Sequence, residues 1–149
     1  MAKEKNQEKE SVFIDGVLRS AFTHEDKNED GSIVKKTNVI TIFADPVSID
    51  GSDTEKAWAF FDSIYQGKPN KYIPKWYKER SGVTFKSVYN VPARIKDSDE
   101  RMSFEEFVKR GLIRGAKIHL KANVKEQALY PVAFEVLEDG EEYDAFADF

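Results

Sequence analysis

Residues 116–124 read AKIHLKANV and residues 129–137 read LYPVAFEVL, and these two stretches decide the fold class. Alternation of apolar and polar residues, as in the first stretch, is the pattern of a β-strand with one buried face. The residues predicted to share that buried face are Ile118, Leu120, Ala122 and Val124. The outer face is then basic and carries Lys117, His119 and Lys121. The second stretch predicts the closing strand, with inward residues Tyr130, Val132, Phe134 and Val136.

Upstream of these strands, the sequence predicts a long hairpin. Residues 11–22 and 33–44 are rich in β-branched and aromatic residues, which favour strands. The polar cluster at residues 24–32 lies between them and is typical of a turn. Residues 46–52 are predicted to form a loop.

Two helices are predicted from apolar spacing and capping residues. Residues 53–66 place apolar side chains at helical intervals, with Asp53 as the N-cap. The apolar residues at this spacing are Ala57, Phe61, Ile64 and Tyr65. A second, short helix is predicted over residues 103–110, because Ser103 and Glu106 have the spacing of a capping box.

The order of the elements predicts a mainly β fold. Residues 68–82 contain two prolines and are predicted to be an exposed loop, and residues 83–91 to be a strand that Pro92 ends. Five strands with a helix before the fourth is the order of a five-stranded antiparallel OB-fold barrel. The helix at 53–66 would then be an insertion between strands two and three. A small antiparallel α+β sheet of another type stays open as the alternative.

The composition fits one domain and excludes several kinds of site. The chain has 149 residues, 40% of them hydrophobic, and no cysteine, so disulfides and thiolate sites are excluded. With two histidines in all, a zinc enzyme with several histidine ligands is not expected. Residues 1–10 are predicted to be a disordered leader without a signal region. We therefore expect a cytoplasmic protein with an OB-fold-like domain at 11–137, an acidic tail at 138–149, no cofactor and no membrane partner.

Basic residues are concentrated in the middle of the chain. Residues 67–125 include fifteen basic and six acidic residues, which indicates a polyanionic partner. Between residues 68 and 89, lysines alternate with aromatic residues. Lysines neutralise phosphates and exposed rings stack on unpaired bases, so the pattern predicts a single-stranded nucleic-acid site. Its predicted residues are Lys71, Tyr72, Lys75, Trp76, Tyr77, Lys78, Arg80, Phe85, Lys86, Tyr89, Lys117, His119 and Lys121. In the alternative, Trp76 and Tyr77 anchor the segment to the core and the lysines are only solvated.

The end of the chain is acidic and also aromatic. Residues 138–149 read EDGEEYDAFADF, with six acids and no base. A tail of this composition can dock a phenylalanine ring in an apolar pocket with a basic rim on a partner. The predicted partner-binding residues are Asp144, Phe146, Asp148 and Phe149.

These features together resemble the single-stranded DNA-binding proteins of bacteria and phages. The resemblance lies in DAFADF at 144–149, GLIRGAKIHL at 111–120 and YPVAFEV at 130–136. Asp148 stands where the bacterial tail usually has proline, and residues 53–80 lack an obvious bacterial counterpart, which indicates a phage-type relative. The resemblance implies nonspecific binding and protection of single-stranded DNA during replication or recombination. It also implies recruitment of replication or recombination proteins through the tail, and it is compatible with a homo-oligomer.

Other interpretations stay open. A phage accessory protein would dock on a host protein without binding nucleic acid, and a small metal-dependent hydrolase is the enzymatic alternative. For that hydrolase, Asp97, Asp99 and Glu100 could hold magnesium, although acids before a helix also stabilise its N-terminus. Residues 26–33, DKNEDGSI, match part of a calcium loop, but Thr37 stands where the loop needs a chelating glutamate. The simpler interpretation is a hairpin turn, and we predict neither a catalytic residue nor a metal site.

Overall fold

The computed structural model describes residues 11–125 and 128–141, apart from the side chain of Tyr72. The described part is mainly β. Its strands are β1 Ser11–Lys27, β2 Ile33–Ile49, β3 Val83–Ser87, β4 Ala93–Ile95, β5 Arg101–Met102, β6 Lys117–Lys125 and β7 Ala128–Glu138. Its helices are α1 Thr54–Tyr65, a 3₁₀ helix at Asn70–Tyr72, α2 Lys75–Glu79 and α3 Phe104–Arg110.

The strands of the described part form one open mixed sheet in the order β3-β2-β1-β6-β7-β4-β5. Neighbouring strands are antiparallel except β4 and β7, which are parallel. The prediction of a mainly β fold is confirmed, but the sheet has seven strands and is open and mixed in place of the predicted five-stranded antiparallel barrel. The predicted strand at 83–91 breaks after Ser87, and the chain forms its next strand only after Pro92. Because β3 pairs with β2 while β4 pairs with β7, no single ladder closes the sheet.

The predicted hairpin is present and is longer than expected. The loop predicted at 46–52 is wrong in part, because β2 continues to Ile49, which pairs with Ile14. At the other end, the turn between β1 and β2 is closed by a hydrogen bond from the Asn28 amide to the Ser32 carbonyl at 2.9 Å. Asp30 accepts hydrogen bonds from the hydroxyl and amide of Ser32, which lowers the pKa of that carboxyl group. The acidic cluster at 26–33 thus stabilises a hairpin turn.

Both predicted helices are confirmed, and each follows from local signals. Asp53 caps α1 by accepting a hydrogen bond from the Lys56 amide at 2.8 Å. The predicted apolar residues of α1 are all buried against the sheet: Ala57, Phe61, Ile64 and Tyr65. At α3, Ser103 and Glu106 form the predicted capping box.

The segment 68–82 is not the exposed loop that its two prolines suggested. Pro69 precedes the 3₁₀ helix and Pro74 precedes α2, and both occupy the N-cap position. Proline is tolerated at the start of a helix because the amide hydrogen it lacks would have no partner within the helix. The prolines therefore mark the beginnings of two short helices.

The closing strands follow the predicted alternation until a bulge reverses it. In β6, the inward residues Ile118, Leu120 and Ala122 are buried as predicted. Lys121 and Ala122 of β6 pair with Ala133 and Pro131 of β7, so Val132 between them is an extra residue without a partner in β6. One extra residue exchanges the two faces of a strand. Tyr130 therefore points outward, against the prediction, whereas its neighbours Leu129 and Pro131 are buried.

The predicted acidic tail does not begin at residue 138. Glu138 is the last residue of β7 and lies 3.7 Å from the ammonium of Lys117. Asp139 forms an ion pair with Arg110 at 2.9 Å. At Gly140 a β-carbon would lie 2.5 Å from the Arg114 carbonyl oxygen, so the chain packs closely here. The predicted tail residues Asp144, Phe146, Asp148 and Phe149, like the leader at 1–10, lie outside the described residues.

Candidate functional site

A groove of about 1090 Å³ opens on the described part of the chain. It is lined by the outer ends of β1 and β2, by the chain that follows β3, and by the facing ends of β6 and β7. Three aromatic rings line it with much of their surface open to solvent: Tyr89 is 78% exposed, Tyr130 46% and Phe22 45%. We call this surface the main groove.

The break in the sheet after Ser87 places Tyr89 in the main groove. Two hydrogen bonds hold the backbone of Tyr89. Its backbone N–H donates to the Ser87 hydroxyl at 3.0 Å, and its carbonyl accepts from the side-chain amide of Asn38 at 2.8 Å. Asn38 is itself held by the Thr23 hydroxyl, which donates to it at 2.8 Å. The ring thus projects into solvent from a fixed backbone, an arrangement that suits a stacking platform.

The charge of the main groove is mainly positive. Its lining residues include Lys35, Lys86 and Lys125. Among the described lining residues, Asp26 is the one acid, and it lies 3.0 Å from the Nε2 atom of His24. Cations beside exposed rings can neutralise phosphates while the rings contact bases.

The predicted binding residues fall into separate places. Lys86 and Tyr89 meet in the main groove, as the prediction requires. Lys75 and Trp76 line a smaller groove beside it, whereas Lys71 and Lys78 are exposed outside both grooves. Phe85 is 1% exposed and belongs to the core, so its predicted role in stacking is wrong. Phe85 lies on the inward face of β3, where the alternation of the strand buries it.

Two of the other predicted aromatic residues, Trp76 and Tyr77, pack chiefly against α1, whereas the side chain of Tyr72 lies outside the described part. The ring of Trp76 lies 5.8 Å from the rings of both Phe61 and Tyr65. The hydroxyl of Tyr77 donates to Asp62 at 2.7 Å, a hydrogen bond that raises the pKa of Tyr77. These contacts anchor α2 to α1, so both residues have a clear packing role.

Arg80 is engaged by the same two helices. Its guanidinium lies 4.5 Å from the ring of Trp58 and donates to Asp62 at 2.9 Å. Arg80 thus holds the C-terminal end of α2 against α1, and its role in nucleic-acid binding stays a prediction.

Lys117, His119 and Lys121 lie on the outer face of β6, as predicted, but outside the main groove. The imidazole of His119 stacks on Phe13 with ring centroids 5.0 Å apart, and its Nδ1 atom lies 2.6 Å from Asp15. The same face of β6 continues to Asn123 and Lys125, which line the main groove. The basic face of β6 thus leads into the groove from one side.

Four residues of the main groove are not predicted from the sequence: Phe22, Tyr130, Lys35 and Lys125. Phe22 and Lys35 lie in the predicted hairpin, where alternation alone does not show which exposed residues face a groove. Tyr130 was placed in the core because the bulge in β7 was not foreseen. For Tyr130, the available signal was Pro131, because a proline within a strand is typical of a bulge or an edge.

No metal centre is evident in the described part of the chain. Across residues 11–125 and 128–141, no three histidine or acidic side chains converge as a metal site requires. Asp97 and Asp99 lie in the turn between β4 and β5. In the same ranges, no helix is long and apolar enough to cross a membrane.

Comparison with known proteins gives no family assignment. No family model, no curated protein and no solved structure matches this chain. The shape, charge and exposed rings of the main groove are therefore the features that indicate a function.

Proposed function

We propose that this chain binds and protects single-stranded DNA along the main groove, without sequence specificity, during replication or recombination. The observation that carries the proposal is the meeting of three exposed rings with three lysines in one groove. Such a combination is typical of proteins that bind single strands, because rings stack on bases and lysines neutralise phosphates. A stacked base contributes about 1–3 kcal/mol whatever its identity, which accounts for the absence of sequence preference.

The exposed rings favour a single strand over a duplex. In a duplex the bases stack on one another, so their faces are not available to Tyr89, Tyr130 or Phe22. In a single strand the bases can separate and each can lie on a ring. The lysines alone would accept either form, so the rings supply the discrimination.

The strand connectivity supports an OB-like interpretation of the fold, with the third strand broken into β3 and β4. β1 pairs with both β2 and β6, β7 runs parallel to β4, and α3 precedes β6. In OB-folds, oligonucleotides bind on strands two and three, between the loop that joins strands one and two and the loop that joins strands four and five. The main groove lies between the equivalent parts of this chain.

The proposal includes recruitment of replication or recombination proteins through Asp144, Phe146, Asp148 and Phe149, in the cytoplasm of a bacterial host. This part rests on the sequence, since these residues combine acids with phenylalanines. A phage accessory protein that docks on a host protein is the second candidate. The acidic sequence at 138–149 favours it, because such a segment suits a basic partner surface.

Fluorescence anisotropy tests the proposal. A labelled thymidine oligonucleotide of about 30 nucleotides, longer than the site of a single OB-fold, is compared with a duplex of equal length. We expect the single strand to bind more tightly than the duplex. Its affinity should fall steeply with salt, and the slope of log affinity against log salt concentration should be about −0.7 for each phosphate neutralised. Equal affinity for both forms, or no binding at low salt, would refute the proposal and favour docking on a host protein.

A further inference from the structure

A second groove, of about 620 Å³, opens beside the main groove and shares two of its lining residues. The shared residues are Lys86 of β3 and Tyr130 of β7. The two grooves therefore meet at a junction with a lysine and a half-exposed tyrosine ring.

The second groove repeats the chemistry of the main groove. Its lining residues include Lys68, Lys75 and Trp76. The ammonium of Lys68 lies 5.4 Å from the centre of the Tyr65 ring, which forms part of the groove wall. Glu79 is the one acid among the described lining residues, and it lies 3.9 Å from Lys75. The balance of charge is again positive, next to an aromatic ring.

The second groove exists because of the chain between β2 and β3. That segment contributes α1, the 3₁₀ helix and α2, and α2 carries both Lys75 and Trp76. The packing of Trp76 on Phe61 and Tyr65 fixes α2 beside β3 and β7. The aromatic contacts that anchor α2 thus also place a lysine and a ring edge at the end of the main groove.

We infer that the two grooves form one continuous path, so that a single strand in the main groove crosses the junction at Lys86 and Tyr130 and continues along α2. The inference rests on the proposed function and deepens it. It assigns the segment between β2 and β3 the role of lengthening the bound strand. Short oligonucleotides would then occupy the main groove alone, and longer ones would also contact Lys75 and Trp76.

Substitution of Lys75 tests the path, with Lys109 as a matched control. Both lysines lie on a helix, pair with a glutamate four positions away at 3.9 Å, and are 83% and 75% exposed at the side chain. Lys109 lies on α3 and lines neither groove. Affinities of K75A and K109A are measured against thymidine oligonucleotides of increasing length, from about 4 to about 16 nucleotides.

We expect K75A to bind the shortest oligonucleotides as tightly as the unsubstituted chain does. It should bind the longest ones about 5-fold more weakly at 0.1 M salt, because one phosphate contact is lost. K109A should match the unsubstituted chain at every length. In a second measurement, Trp58→Phe leaves Trp76 as the remaining tryptophan. Its emission should change with long oligonucleotides and not with the shortest.

The outcomes separate the two proposals. If short oligonucleotides bind but added length brings no gain, and K75A equals K109A throughout, the grooves are independent and the continuous path is wrong. The proposed function would then still stand. If no oligonucleotide binds at any length, the proposed function fails and the path fails with it.

Discussion

Replacement of Tyr89 by alanine should weaken binding of single-stranded DNA while leaving the fold intact. The ring is 78% exposed, and both hydrogen bonds that hold the residue use its backbone. Truncation therefore removes little packing, and we expect the free energy of unfolding to change by less than about 0.5 kcal/mol. The loss of one stacked base is worth about 1–3 kcal/mol, which corresponds to about 5- to 150-fold weaker binding.

The salt dependence distinguishes this loss from the loss of a charge. Y89A removes no cation, so the slope of log affinity against log salt should stay the same. Lys86→Ala removes a cation of the same groove, and its slope should decrease by about 0.7. Tyr89→Phe keeps the ring face and should bind like the unsubstituted chain.

The assay is anisotropy of a labelled thymidine oligonucleotide at several salt concentrations, with thermal unfolding of each variant as the control for folding. Unchanged affinity of Y89A would refute the assignment of Tyr89 as a stacking platform. A reduced affinity that Tyr89→Phe fails to restore would show that the hydroxyl, and not the ring face, contacts the ligand.

Three further predictions concern stability. Phe61→Ala deletes a fully buried ring and should lower the free energy of unfolding in urea by about 3–5 kcal/mol; a loss below about 1 kcal/mol would contradict its place in the core. Ser103→Ala removes the hydroxyl oxygen that accepts from the Glu106 backbone amide at 3.1 Å, and it should lower the free energy of unfolding by about 1 kcal/mol. An unchanged midpoint of urea unfolding would show that the cap contributes nothing. Burial, and to a smaller extent nearby Tyr130, raises the pKa of Tyr65 from 10.0 to about 12. The folded state therefore favours the neutral phenol, and this contribution to stability is complete below pH 10 and is lost as the pH rises to about 12. Tyr65→Phe lacks this group, and its free energy of unfolding should fall less steeply over that interval; parallel curves for the two proteins would refute the assignment.

The helices could be predicted from the sequence because their determinants are local. The spacing of Ala57, Phe61 and Ile64 fixes the buried face of α1, and Asp53 caps it within the same turn. Likewise, Ser103 and the side chain of Glu106 are three residues apart, so the sequence contains the whole capping motif.

The orientation of Tyr130 could not be predicted because it depends on a partner strand. The bulge lies where β7 pairs with Lys121 and Ala122 of β6. Pro131, directly before the extra residue, is a local sign of a bulge or an edge, but it does not tell which way the faces shift. The main groove is similar, since Phe22, Tyr89 and Tyr130 come from three distant parts of the chain. The sequence identified Lys86 and Tyr89 because they are close to each other, and it missed the rings that only the sheet brings near.

The pairing of β1 with β6 has a consequence for how the chain is made. Asp15 and His119 lie side by side in this ladder, yet 104 positions separate them. Ribosomes add about 5–20 residues per second, so β1 waits roughly 5–20 s for its neighbour to be synthesised. Pairings between distant segments are also slow to form, typically in milliseconds to seconds after synthesis. Until then one edge of β1 is open to pairing with other chains, so nascent fragments that end before β6 should be the species that aggregate and that chaperones bind.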